Sequence, residues 1–159
     1  MGLQSTVGYP AVAFPGQQVA FNQEAYTAEN YVSDGTCKAG FFAFPKTVTA
    51  SNGEIIVNTA SLTAASGSPL GLVEKEFSAS VGATNQDVYP AGATLSIAIR
   101  GDYWIKAGAT AAVGKKVIVT LATGAISFAD SASTGEVDSG WTVTKGGSSG
   151  DMIIISNHG

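Results

Sequence analysis

The chain has few charged residues, and that shortage limits the ways in which it can act. Asp, Glu, Lys and Arg make up 13% of its residues, against roughly 25% in typical soluble domains. A protein that is free in solution usually carries more surface charge, whereas one that is packed against partners needs less. The composition therefore fits a protein that works at an interface, and equally a globular β protein whose turns are rich in small residues.

Histidine and cysteine are each present only once, which argues against most kinds of catalytic and metal-binding site. His158 is the next-to-last residue, so a catalytic triad would have to hold its base in a segment that usually frays. Two-histidine metal motifs cannot be built. Cys37 has no second cysteine to pair with, and we expect it to be a small buried hydrophobe. We expect no enzyme activity, no cofactor and no metal site.

A basic stripe and a long apolar run are also missing. The eight Lys and Arg residues are scattered and the net charge is −4, whereas nucleic-acid binding needs clustered cations that neutralise phosphates. The longest apolar runs, such as Met152–Ile155, are far too short to cross a bilayer. The sequence as written opens without the pattern of a secretory signal. We therefore expect neither nucleic acid nor a membrane as a partner.

Residues 1–36 contain no Lys or Arg and carry well-spaced aromatic residues. Pro10 and Pro15 favour extended backbone in the residues before them, and no helical or strand period holds. We interpret this segment as an extended N-terminal arm and residues 37–159 as a β-domain. Exposed aromatic residues are frequent interface anchors. The predicted partner contacts are Tyr9, Phe14, Phe21, Tyr26, Tyr31 and Trp104. An arm that wraps its own domain would use the same residues, and that alternative has equal weight.

Short strand-like runs separated by turn residues follow from Cys37 onward. Asn52-Gly53 predicts a hairpin between residues 47–49 and residues 54–57. Near the end of the chain, the run around Trp141 is expected to pair with residues 151–156. This spacing predicts an all-β fold, either a small β-sandwich or a partly open β-barrel of jelly-roll-like form.

The central run from Leu95 to Lys106 alternates between apolar and polar or small residues. Leu95, Ile97 and Ile99 are expected on one face, and Gly101-Asp102 is expected to form a turn. Beyond that turn, Tyr103 and Ile105 should face away from Trp104. Trp104 is then either an exposed binding residue or a core residue at a barrel corner.

Two further hypotheses concern ligands. Glu74 and Glu76 alternate within a predicted strand, Leu70–Phe77, and would project from one face, as in a carboxylate hydrolase or a Ca²⁺ site. A solvated strand face is the more common role for glutamate. The second hypothesis is a carbohydrate-binding or host-binding β-module, with Trp104, Trp141 and Tyr103 lining its groove.

Five motifs occur in an order that resembles one family of bacteriophage proteins. They are PLGLVEKE at 69–76, YPAG at 89–92, RGDYWIK at 100–106, VGKKV at 113–117 and TGAISF at 123–128. The set resembles the structural cement, or capsid decoration, proteins of tailed bacteriophages. Residues 131–159 form a longer tail than this pattern has.

The resemblance implies a β-domain on the outer surface of the capsid that bridges neighbouring major capsid subunits and stabilises the shell. It implies a virion protein made in the host cytoplasm, with the major capsid protein and other copies of itself, as dimers or trimers, for partners. It brings no catalytic residues. Deletion of residues 1–20 is expected to leave a folded domain that no longer reinforces capsids.

Overall fold

The structure, a computed structural model, describes residues 13–19, 24–49, 51–76 and 87–158. Those residues contain no helix. The strands there are β1 Ala25–Tyr26, β2 Tyr31–Ser33, β3 Phe42–Thr49, β4 Ile55–Ser61, β5 Gly71–Val73, β6 Thr94–Leu95, β7 Ile97–Lys106, β8 Lys116–Thr120, β9 Ile126–Ala129, β10 Glu136–Lys145 and β11 Met152–Asn157. The prediction of an all-β fold is confirmed.

All eleven strands belong to one open, mixed sheet. Its order is β6-β2-β4-β3-β5-β7-β11-β10-β8-β9, and β1 pairs separately with β7. Only β2 and β4 run parallel to each other, and the other pairs are antiparallel. The strand β7 lies in the middle of the sheet and contacts β1, β5 and β11.

The sheet curls around its main core. Phe42 on β3 and Trp141 on β10 lie four strands apart in the sheet order, which is roughly 19 Å in a flat sheet. Their ring centroids are 6.2 Å apart, in an edge-to-face contact. Ala64, which follows β4, also donates a 3.0 Å backbone hydrogen bond to Leu121 beyond β8. These cross-contacts make the sheet barrel-like while it remains open.

A smaller core lies on the opposite face of the central strands. Leu72 packs in the main core and the next residue, Val73, packs in the second one. Both are essentially inaccessible to solvent, so β5 is buried on its two faces. Tyr89 joins this second core and donates its hydroxyl hydrogen to the Glu74 carbonyl at 2.8 Å.

Two predicted strand pairings are confirmed. The strands β3 and β4 form an antiparallel hairpin around Asn52-Gly53, with Thr49 opposite Ile55. The strands β10 and β11 are antiparallel neighbours, with Val143 opposite Ile155.

The predicted turn at Gly101-Asp102 is wrong, because β7 continues without a break through both residues. Gly101 has φ +128, a value that glycine adopts far more readily than other residues. Ala98 and Tyr103 both pack in the main core. Because they are five residues apart, strict alternation would place them on opposite faces of the sheet. Before this irregularity, Leu95 and Ile97 pack in the second core, whereas Ile99 is 41% exposed and lines a cleft with Tyr31.

The strand predicted over Leu70–Phe77 is shorter than expected. It ends at Val73, and Phe77 lies outside the described residues. Glu74 and Glu76 therefore follow the strand instead of sharing a face of it.

Candidate interaction surface

The described part of the predicted arm lies against its own domain. The Gly16 amide donates to the Trp104 carbonyl at 2.7 Å, and the Trp104 amide donates to the Gln17 carbonyl at 2.8 Å. The Val19 amide donates to Asp102 at 2.9 Å. Further on, β1 pairs with β7, and β2 lies between β4 and β6. Residues 16–19 and 25–33 thus add backbone pairing to the sheet.

Two glycines allow the arm to cross the domain closely. Gly16 has φ +80, and a Cβ there would stand 2.7 Å from the Gly40 amide nitrogen. Gly40 has φ +77, and a Cβ there would stand 2.5 Å from the Pro15 Cβ. Any larger residue at either position would collide with backbone or with the proline ring. Gly16 and Gly40 therefore fix the distance between the arm and the domain.

The predicted aromatic anchors fall into three groups. Phe14 and Tyr26 are each 40% exposed. Tyr31 is partly buried against the second core and lines a shallow cleft with the exposed Ile99. Tyr9 and Phe21 lie outside the described residues. Phe14 and Tyr26 are thus the two arm aromatics that the structure places at the surface.

Trp104 is half-buried on the outer face of β7. Tyr103 and Ile105, on either side of it, are completely buried in the main core, which confirms the predicted alternation around Trp104. The Lys145 ammonium lies over the Trp104 ring, 4.7 Å from its centroid. Such a cation–π contact attracts the ammonium group to the face of the ring.

The predicted groove of Trp104, Trp141 and Tyr103 is not present. Trp141 and Tyr103 are 1% and 0% exposed, and their rings pack edge to face at 5.8 Å in the main core. They lie on the opposite face of the sheet from Trp104. Trp141 and Tyr103 therefore stabilise the fold and are not available to bind a sugar.

The surroundings of Glu74 and Glu76 are formed by other residues of the chain. Glu76 accepts a 2.5 Å hydrogen bond from the Ser96 hydroxyl. Burial raises the pKa of Glu74, and the charges of Glu24 and Glu76 act in the same direction. Among the residues that the structure describes, no group of three or more His, Cys, Asp or Glu side chains could hold a metal ion.

The remaining polar candidates also have structural partners. Cys37 is buried, donates to the Ala60 carbonyl at 3.3 Å, and has its pKa raised to about 11 by burial. His158 has its Nε2 2.9 Å from the Asp102 carboxylate. Cys37 is therefore closed off from solvent, whereas the His158 side chain is 51% exposed at the end of β11.

Comparison with known proteins decides the family. The sequence profile described as "Structural cement protein (E217 gp24/Pam3 gp6)" matches residues 3–157. The chain belongs to the phage structural cement protein family. A chain in the solved capsid of Myoviridae phage XM1 has the same fold, with a TM-score of 0.64 and 13% sequence identity, and the match covers 99% of both chains. No curated protein matches.

Family membership makes this chain a capsid-associated structural protein of a bacteriophage virion, and it suggests a non-enzymatic role. The profile extends through most of residues 131–159, so the expectation that this tail departs from the family is wrong. The reason is visible in the fold, where β10 and β11 are interior strands of the sheet and Trp141 and Ile153 fill its core.

The described part of this cement protein has no helix of the length and hydrophobicity needed to cross a membrane.

Proposed function

We propose that this cement protein binds the outer surface of the capsid and bridges neighbouring major capsid subunits, so that the shell resists rupture. The major capsid protein and neighbouring copies of the chain, in dimers or trimers, are the proposed partners. The protein is made in the host cytoplasm and acts by the area it covers, without catalysis.

The observation that carries this proposal is the exposure of arm aromatics on a backbone that is fixed to the domain. Phe14 and Tyr26 are 40% exposed, yet hydrogen bonds to β7 hold the chain at Gly16 and at β1. Anchors held in place before binding lose little conformational entropy when they reach a partner. A flexible arm of the same composition would bind more weakly.

The proposal also gives a role to the first residues of the arm. We propose that the part before Ala13, which includes Tyr9, contacts a neighbouring subunit, while residues 13–36 attach the arm to the domain. A specific interface buries about 1,000 Å² or more. One small protein that touches two subunits adds that area across a seam, and the symmetry of the shell repeats it many times.

Co-sedimentation tests the proposal. The purified chain is mixed with capsids that were assembled without it, and the pellet is quantified against the coat protein. We expect saturable binding at a fixed ratio to the coat protein, and exposure of the bound protein to protease or antibody from outside intact particles. Absence from the pellet, or binding that never saturates, would contradict it.

A further inference from the structure

The basic residues of this protein are almost all engaged by partners within the chain. Four lysines form salt bridges with aspartates at 2.6–2.8 Å: Lys46–Asp34, Lys75–Asp87, Lys115–Asp130 and Lys116–Asp138. Arg100 donates to the His158 carbonyl, and Lys38, which also lacks a carboxylate partner within the part of the chain that the structure describes, is partly buried over the Phe41 ring. Lys106 and Lys145 are the exposed lysines without a carboxylate partner among the described residues.

These two lysines share one face of the sheet with Trp104. Trp104 on β7 and Lys145 on β10 both lie opposite Ile154 of β11, one on each side. Lys145 reaches across Ile154 to the Trp104 ring. Lys106 follows Trp104 by two residues, so it projects to the same side, opposite Met152. We call these five residues the Trp104 face.

A bulge in β10 places Lys145 on this side. Val143 is buried in the main core opposite Ile155, and the register shifts before Lys145, which pairs with Ile154. Regular alternation would send Lys145 to the same side as Val143, into the core. A β-bulge commonly redirects a side chain in this way.

The Trp104 face combines apolar contact area with two ammonium groups that have no carboxylate partner among the described residues. Trp104, Met152 and Ile154 are partly exposed, and Lys106 and Lys145 are exposed. Tryptophan and methionine are enriched where proteins bind each other. A partner that covered this face without carboxylates would bury two ammonium groups unpaired, which is costly. The chemistry therefore selects an acidic partner.

We propose that the Trp104 face docks an acidic segment of the capsid protein, whose carboxylates pair with Lys106 and Lys145 while apolar side chains cover Trp104 and Ile154. This rests on the proposed capsid-binding function and adds a contact surface on the sheet to those of the arm. Nucleic acid is a poor fit, because two cations on a chain of net charge −4 cannot follow a phosphate backbone.

Charge reversal at the two lysines tests this inference in the full chain. The double variant K106E/K145E is compared with K38E/K115E, which changes the net charge equally but lies off the Trp104 face.

We expect K106E/K145E to bind capsids at least about tenfold more weakly and to lose the salt dependence of the wild-type chain. The control is expected to stay within about threefold of wild type, because Lys38 lies over the Phe41 ring and Lys115 pairs with the exposed Asp130, both away from the proposed docking surface. Circular dichroism confirms that both variants are folded, and K106Q/K145Q should fall between wild type and reversal.

Three results would overturn the inference. Equal binding by the two double variants shows that the lysines do not meet acidic groups. A change in self-association of K106E/K145E with unchanged capsid binding shows that a second copy of the chain covers the face. If the wild-type chain itself fails to sediment with capsids, the proposed function fails and this inference fails with it, whereas the first two results leave the proposed function intact.

Discussion

Gly16 and Gly40 lie so close that neither position can accept a side chain: a Cβ on Gly16 would stand 2.7 Å from the Gly40 amide nitrogen. The contact joins the arm to the loop before β3, next to the backbone of Val73 and Lys75, which a Cβ on Gly16 would also approach within 3 Å. The position of the arm on the domain therefore depends on glycine at both positions.

Substitution of Gly16 by alanine is expected to destabilise the protein by about 2–3 kcal/mol, because positive φ and a backbone collision act together. Gly53 is a matched control, since it has φ +87 with nothing within 4 Å of the added Cβ. We expect G53A to cost only about 1 kcal/mol. Urea denaturation of both variants measures the difference, and equal losses would show that the close approach has no energetic role.

The two tryptophans should differ sharply in their contribution to stability. Trp141 is 1% exposed and contacts the rings of Phe42 and Tyr103, so W141A is expected to lower the free energy of unfolding by about 3–5 kcal/mol. Trp104 lies half-buried on the outer face, so W104A should cost about 1 kcal/mol. Each variant keeps one tryptophan as a fluorescence reporter. A larger loss in W104A than in W141A would contradict the assignment of Trp141 to the core.

Asp34 links stability to acidic pH. Its partly buried carboxylate lies 2.7 Å from the Lys46 ammonium. Burial acts to raise its pKa, but the hydrogen bonds from Lys46 and Thr36 outweigh burial and lower the pKa to about 2. A depressed native pKa adds stability above the unfolded-state value of about 4, and this stability is lost as the pH falls toward 2.

The D34N variant tests this linkage. It should be less stable than wild type by about 2 kcal/mol at pH 6, and the difference should shrink as the pH falls from 4 to 2. D130N is the control, because the Asp130 carboxylate is 82% exposed in its pair with Lys115. Free energies of unfolding across this pH range provide the measurement, and a difference that stays constant with pH would be inconsistent with the depressed pKa.

Removal of the first twelve residues is a cleaner test of the arm than removal of twenty. The shorter deletion keeps Gly16, Gln17 and Val19, whose backbone hydrogen bonds join the arm to β7. We expect the truncated chain to unfold at nearly the same denaturant concentration as the full chain but to protect capsids less against heat. Full protection by the truncated chain would show that the residues before Ala13 do not contribute to bridging.

Local sequence patterns predicted the parts of this fold that local chemistry determines. Asn52-Gly53 marked the hairpin of β3 and β4, and the sides of Tyr103 and Trp104 followed from alternation. The continuity of β7 through Gly101 could not be predicted from the sequence, because a glycine is as compatible with a strand irregularity as with a turn. In the structure Gly101 adopts φ +128 within the strand. Positive φ values of this kind are decided by tertiary packing.

Interaction surfaces were harder to predict than strands. The sequence around an aromatic residue in a strand does not indicate which face of the sheet will be covered. The curl of the sheet buries the face that carries Trp141 and leaves Trp104 on the outer face. The position of Lys145 over Trp104 depends on the bulge after Val143 and on the pairing of β10 with β11. Such contacts join residues that are distant in sequence, so no short motif could indicate them.

The most direct test of the account is the rupture temperature of capsids assembled without this protein, measured by release of packaged DNA to a fluorescent dye, before and after the purified chain is added back. We predict that the rupture temperature rises with added protein and stops rising when the binding sites are filled. Capsids that bind the protein to saturation and still rupture at the original temperature would contradict a cementing role.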